Sequence, residues 1–191
     1  MLSGIELDGA NRKLNFMNDL QVLRERLDLI TEAPDTEHHP ERIEALRTEH
    51  PHSVHPMTMR HSNLEFNCVM YALGVESDQF LINLISRCPY DVHLNTTFAR
   101  LLIDAGYLEE CSVADGATLV AYFKGNKIEH IGRLTAGNRV ASKWGIGHLY
   151  EHDLMEVPSS YGDTIRFFTP RGDMPVTDLF RAFAEANGVE F

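Results

Sequence analysis

Cys68 stands behind Asn67 at the front of FNCVMYALG, an apolar run of helical spacing closed by Gly74. A helix N-terminus favours the thiolate, the reactive form of cysteine, because its unpaired backbone N–H groups and its dipole stabilise negative charge. A thiolate nucleophile also needs an imidazole within reach, to hold the ion pair and then protonate the leaving group. His130 fits that part: it sits mid-strand in KIEHIGRLT, where a histidine is neither a turn former nor an ordinary core filler. A third polar group has to orient the ring through its other nitrogen. The next run, NRVASKWG, offers Ser142 and Lys143, with Trp144 as core or pocket wall and an indole N–H in need of a partner. The chemistry this points to is attack by Cys68 on a carbonyl, with His130 as general base and then acid. Ser142 or Lys143 would position the ring or the substrate, and amides at the start of the helix would contribute to an oxyanion hole. Such a thiolate would react faster than Cys88 or Cys111. The competing reading is a buried core thiol beside a satisfied strand histidine, since cysteine is among the most buried residue types.

The elements that must carry these residues are readable from periodicity. Between Asn15 and Ile30 the residues Phe16, Leu20, Leu23, Leu27 and Ile30 form one stripe of an amphipathic helix, which needs something to cover. A connector follows, bounded by Pro34, Pro40, Pro51 and Pro56, with a short helix in ERIEALRTEH and six of the ten histidines. His38, His39, His50, His52, His55 and His61 are read as polar connector residues, because no pair of them has ligand spacing on a clear helix. Helices are expected from Asn67 to Gly74, over Asp78 to Ser86 and from Asn95 to Ala105. Then the period changes: ATLVAYF, KIEHIGRLT and NRVASKWG read as antiparallel strands joined by turns at KGN and AGN, followed by a strand around DTIRFFTP. His148 and His152, in GIGHLYEHDLMEVPSSYGD, read as loop residues, VPSSYGD as a turn bent at Gly162, and VTDLFRAFAEANG as a closing helix. Helices first and a meander second imply an α+β domain over 63–191, preceded by a helical, His-rich arm over 1–62.

Composition sets the context. The chain has 191 residues, is 43% apolar and carries a formal charge of −11. That charge, with no clustered Lys/Arg tract, argues against nucleic acid and anionic membranes and toward a peptide, peptidoglycan-fragment or protein substrate. No run approaches the roughly 18 apolar residues of a membrane-spanning helix, and the N-terminus lacks a signal-peptide layout, which points to the cytoplasm. Three cysteines in no paired spacing read as free thiols. No metal or cofactor is expected.

The combination of a helix-borne cysteine with a β-hairpin carrying a histidine and then a polar residue resembles the papain-like thiol hydrolases of the NlpC type. The stretch ADGATLVAYFKGNKIEHIGRL is similar to the segment in which that superfamily runs from an acidic-Gly turn to a His-(apolar)-Gly strand. Asn67-Cys68, Ala72-Leu73-Gly74, His130, Ser142-Lys143-Trp144-Gly145 and Glu151-His152 together resemble a poorly characterised bacterial family of this design, over about Asn67 to Asp163. The resemblance implies a papain-like α+β fold and a cysteine hydrolase or acyl-transfer enzyme acting on peptide or isopeptide bonds. Cys68, His130 and Ser142 would be catalytic, and Asn67, Lys143, Trp144 and His152 supporting. Where the superfamily commonly has a histidine, this chain has Ser142. Two alternatives stand: a peptidoglycan amidase exported without a signal peptide, and a catalytically silent relative serving as a binding module.

Overall fold

The structure is a computed structural model that describes residues 4–58, 66–89, 92–145 and 147–190, with only the backbone for 4–16. Seven strands form one antiparallel sheet, and helices cover both of its faces. In chain order the elements are α1 (Gly4–Thr31), α2 (His39–Leu46), β1 (His55–Pro56), α3 (Cys68–Leu73), α4 (Gln79–Ile85), α5 (Thr96–Asp104), β2 (Leu108–Glu110), β3 (Leu119–Lys124), β4 (Lys127–Leu134), β5 (Val140–Lys143), β6 (Leu149–His152), β7 (Thr164–Pro170) and α6 (Val176–Ala186). The strand order is β1-β6-β5-β4-β3-β7-β2. Mixed helix and antiparallel sheet is the expected α+β class.

The central strand β3 explains the layering. Its run LVAYF is buried throughout because successive side chains point to opposite faces and both faces are covered. Leu119, Ala121 and Phe123 join Ile131 of β4 and Phe168 of β7 in a core closed by α3, α4, α5 and α6. Val120 and Tyr122 face the other way, into a second core with Val140, Trp144, Tyr150, and Leu23 and Leu27 of α1. Leu20 and Ile30 pack at its margin, so the stripe read from the sequence covers this second face. Phe16, the first residue of that stripe, lies outside the described side chains.

Both tight turns use a left-handed backbone. Gly125, with φ +60°, closes the β3–β4 hairpin, and Gly137 and Asn138, at φ +72° and +61°, close β4–β5. Three strands lie outside the sequence reading, the first being the two-residue β1 in the connector. GHLYEH was read as loop, but Leu149–His152 is β6, fully paired with β5, and Leu108–Glu110 forms the short edge strand β2. The apolar signal of each was too brief to show a period. Among the connector histidines, buried His39 donates through Nε2 to the Ala33 carbonyl at 2.9 Å, and His52 donates to the Ile43 carbonyl at 2.9 Å while accepting from the Val54 amide. These rings splice the connector to α2. Among the described residues no three His, Cys, Asp or Glu side chains gather at metal-holding distance, and His61 lies outside those residues.

Candidate functional site

The geometry starts with Asn67. Its backbone is extended, and its Oδ1 accepts hydrogen bonds from the amides of Val69 and Met70, both at 3.0 Å, which starts α3 at Cys68. Its Nδ2 donates to the Leu94 carbonyl at 2.9 Å, fixing the helix start to the chain that leads into α5. Gly74 ends α3 at φ +79°, where an added Cβ would press within 3.0 Å of the Arg133 guanidinium. A six-residue helix is thus pinned at both ends, and Cys68 is its first residue.

Opposite it, the sheet opens. β4 and β5 pair only at Arg133–Ala141 and Leu134–Val140, whereas Ser142 and Lys143 pair onward with Tyr150 and Leu149 of β6. In the gap the Ile131 amide has no strand partner on the β5 side, and it turns toward the Cys68 thiol. The thiol is enclosed although the residue keeps some exposed surface. Burial pushes its pKa up to about 11, against the pull of the Ile131, Val69 and Cys68 amides and of Lys143. The expectation of an activated thiolate fails here for a physical reason: desolvation outweighs the amides and the cation. Gly132 keeps the gap's lower end tight, since a Cβ there would lie 2.6 Å from Val140 Cγ1 and 2.9 Å from Ser142 Cβ.

Lys143 is fully buried. Its Nζ donates to the carbonyls of Gly147 at 2.7 Å and Gly145 at 3.3 Å and lies 5.4 Å from the centre of the Phe66 ring. Burial lowers its pKa to about 8, and only the neighbouring Cys68 opposes that fall. Cys68 and Lys143 are thus in electrostatic reach of each other, a neutral thiol and a mostly charged amine at neutral pH.

His130 pairs across from Tyr122 and stacks on Tyr161, with ring centres 4.0 Å apart and planes 14° from parallel. Burial, and secondarily His152, holds it neutral, well below the ordinary histidine range. Its Nε2 is buried without a hydrogen-bond partner, and among the described residues no hydrogen bond joins it to Cys68. Ser142 serves another ring. Trp144 Nε1 donates to Ser142 Oγ at 2.9 Å, the serine hydroxyl donates to His152 Nε2 at 2.9 Å, and His152 Nδ1 donates to the Asp153 carbonyl at 2.9 Å. The carbonyl can only accept, so it fixes the tautomer and the direction of the whole chain. Burial drops the His152 pKa to about 4. Of the expected residues, then, the gap brings together Asn67, Cys68 and Lys143, while Ser142, Trp144 and His152 form a satisfied network and His130 lies under Tyr161.

Tyr161 and Tyr150 were not singled out in the sequence. Tyr161 sits on a one-turn 3₁₀ helix, Ser159–Tyr161, and its hydroxyl is in electrostatic reach of Cys68 and of the Gly145 amide, its pKa raised by burial and then by Cys68. The Tyr150 hydroxyl is buried and unpartnered. VPSSYGD carried only a turn signal, and an aromatic inside a turn gives no hint of its partners.

The model of one protein family matches residues 57–169, more than half of the chain, and its description is "Domain of unknown function (DUF7689)". No curated protein and no solved structure matches.

Proposed function

We propose that this chain, which belongs to the DUF7689 family, is a papain-like cysteine-nucleophile hydrolase or acyl-transfer enzyme for amide bonds, with Cys68 as nucleophile. The observation that carries the reading is the Cys68 thiol in the β4–β5 gap, facing the free side of the Ile131 amide and in electrostatic reach of the fully buried Lys143. A core thiol needs neither.

In the reaction, the Cys68 proton passes to the Lys143 amine, which is free above a pH of about 8. The sulfur then bonds to the substrate carbonyl carbon, and the developing oxyanion faces the Ile131 and Cys68 amides. As the C–N bond breaks, the leaving amine takes the proton back from Lys143, leaving an acyl thioester. Water or an acceptor amine then releases the acyl group. His130, a neutral imidazole whose buried Nε2 has no hydrogen-bond partner, would deprotonate that second nucleophile once uncovered. The charge of −11 favours peptide or isopeptide substrates over anionic wall polymers.

The test is a screen of isopeptide, peptide and peptidoglycan-fragment substrates with intact-mass detection of the thioester. Wild type is expected to show an adduct on Cys68 and a rate that rises with pH around 8, and Cys68→Ser to show neither while keeping its melting temperature. The silent-module reading is favoured by one specific feature, the neutral thiol beside an unpartnered His130. It takes over if no substrate class yields an adduct with any nucleophile-dependent turnover.

A further inference from the structure

We infer that the Ser159–Tyr161 turn is a gate over the Cys68 site and that α1 holds it shut. The inference concerns regulation of the site proposed above and rests on that reading only for its catalytic consequence. Three observations carry it. First, Tyr161 lies between the two groups that a cysteine–histidine mechanism would bring together: its ring lies flat on His130 at 4.0 Å, and its phenol is in electrostatic reach of Cys68. While the ring stays there, one face of the imidazole is occupied. Second, the turn is held by a side chain from a distant element. Asp28 of α1 accepts from the Ser159 hydroxyl, from the Ser160 amide at 2.9 Å and from the Ser160 hydroxyl at 2.6 Å. One helical turn away, Arg24 donates through Nε to the Val157 carbonyl at 3.2 Å and through its terminal nitrogen to the Gly162 carbonyl. One face of α1 therefore grips the segment on both sides of Tyr161. Third, the gripped segment has little regular structure of its own. It is a single 3₁₀ turn outside the sheet, bounded by Pro158 and by Gly162 at φ +112°. Its flanks Val157, Pro158 and Gly162 are buried and stay in place, so the part that lifts is residues 159–161, whose side-chain tether from outside is Asp28.

Lifting the turn would uncover two of the three buried atoms that lack partners among the described residues, His130 Nε2 and the Tyr150 hydroxyl, the latter in electrostatic reach of Tyr161. Both suit an amide-bearing substrate. Water entering with it would also lower the Cys68 pKa, since burial is what holds it high. Opening and activation are thus one step.

The test is the iodoacetamide labelling rate of Cys68 in the full-length chain at neutral pH, read by peptide mapping against Cys111 as internal reference. Asp28→Ala removes the three hydrogen bonds to the turn and Tyr161→Ala removes the ring. Both are expected to raise the Cys68 rate by about tenfold or more, leaving Cys111 unchanged. Tyr161→Phe, which keeps the ring, should stay within about twofold of wild type. Tyr161→Ala reads the gate without touching α1, should Asp28→Ala disturb that helix. Unchanged Cys68 labelling in both alanine variants overturns the gate. A labelled, opened Cys68 that still turns over no substrate upholds the gate and instead overturns the proposed activity.

Discussion

Replacing Lys143 by methionine distinguishes a buried ammonium from a thiolate–ammonium ion pair. The amine's pKa falls from 10.5 to about 8 on burial, and at 1.36 kcal/mol per unit that difference is worth about 3 kcal/mol. The sign follows from linkage. Below 8 both the folded and the unfolded chain hold the proton, and the folded state bears the full cost of the buried charge. Between 8 and 10.5 the unfolded chain still binds the proton and the folded chain does not, so wild-type stability rises with pH across that window. Methionine removes the charge but leaves the Gly147 and Gly145 carbonyls without their donor, a loss of about 1–3 kcal/mol. Near neutral pH the two effects offset, and Lys143→Met should match wild type to within about 1 kcal/mol. Toward pH 10 the wild type should gain about 3 kcal/mol on the variant. Urea titrations of both proteins in the same buffers give the difference, which cancels titrations the two share, including those of Tyr122 and Tyr150. A flat difference refutes the burial argument. A difference that instead falls only above pH 10.5, where the unfolded amine loses its proton and a paired one keeps it, means that Lys143 is already paired with a Cys68 thiolate, and the resting state is then an ion pair.

Acid should act through the histidines. The neutral His152, shifted from 6.5 to about 4, contributes stability that is complete above 6.5 and lost as pH falls to 4, about 3 kcal/mol in all. His130 shifts the same way. In His152→Leu the decline of the urea midpoint between those pH values should be shallower than in wild type, and an identical slope counts against a buried neutral ring. Gly162→Ala places a Cβ 2.3 Å from the Phe123 carbonyl oxygen at a φ of +112°, and a loss of about 3 kcal/mol or more is expected from the strain and the clash. A melting temperature within a degree or two of wild type would mean that the turn has another accommodating conformation.

Much of the fold was legible where a period ran long enough. The Leu20, Leu23, Leu27, Ile30 stripe, the LVAYF run and the KGN and AGN turns each carried a local signal that the tertiary structure agrees with. The short strands did not, because β1, β2 and β6 owe their pairing to neighbours rather than to their own two to four residues. Within the site, the helix start at Asn67-Cys68 and the strand places of His130, Ser142 and Lys143 follow from residue type and pattern. Their partners do not. Which ring Ser142 serves depends on the Ser142–Tyr150 register that sets His152 beside β5, and a strand read as loop hid that register. The grip of Asp28 on Ser159 and Ser160 spans 131 and 132 positions, a separation over which single-sequence patterning carries no information.

The disposition of polar groups bears on whether Cys68 is merely a core thiol. An apolar core around a small thiol would be filled by leucine or methionine at no electrostatic cost. This one instead buries an ammonium with a pKa near 8, an imidazole nitrogen and a phenol hydroxyl without partners. Each unpartnered group costs about 1–3 kcal/mol. Next to them Trp144, Ser142, His152 and the Asp153 carbonyl form a chain in which every donor meets an acceptor. Of the three such unsatisfied atoms among the described residues, His130 Nε2 and the Tyr150 hydroxyl belong to side chains near Tyr161, and Arg47 Nε lies at the end of α2. Two orphaned atoms near one ring, with a buried ammonium close to the thiol, are a concentration of broken local rules of the kind a functional site carries. Stability alone would select against the buried ammonium, imidazole and phenol, since apolar side chains of similar volume would serve the core better. Their retention at the thiol is therefore the physical reason to prefer chemistry at Cys68 over packing.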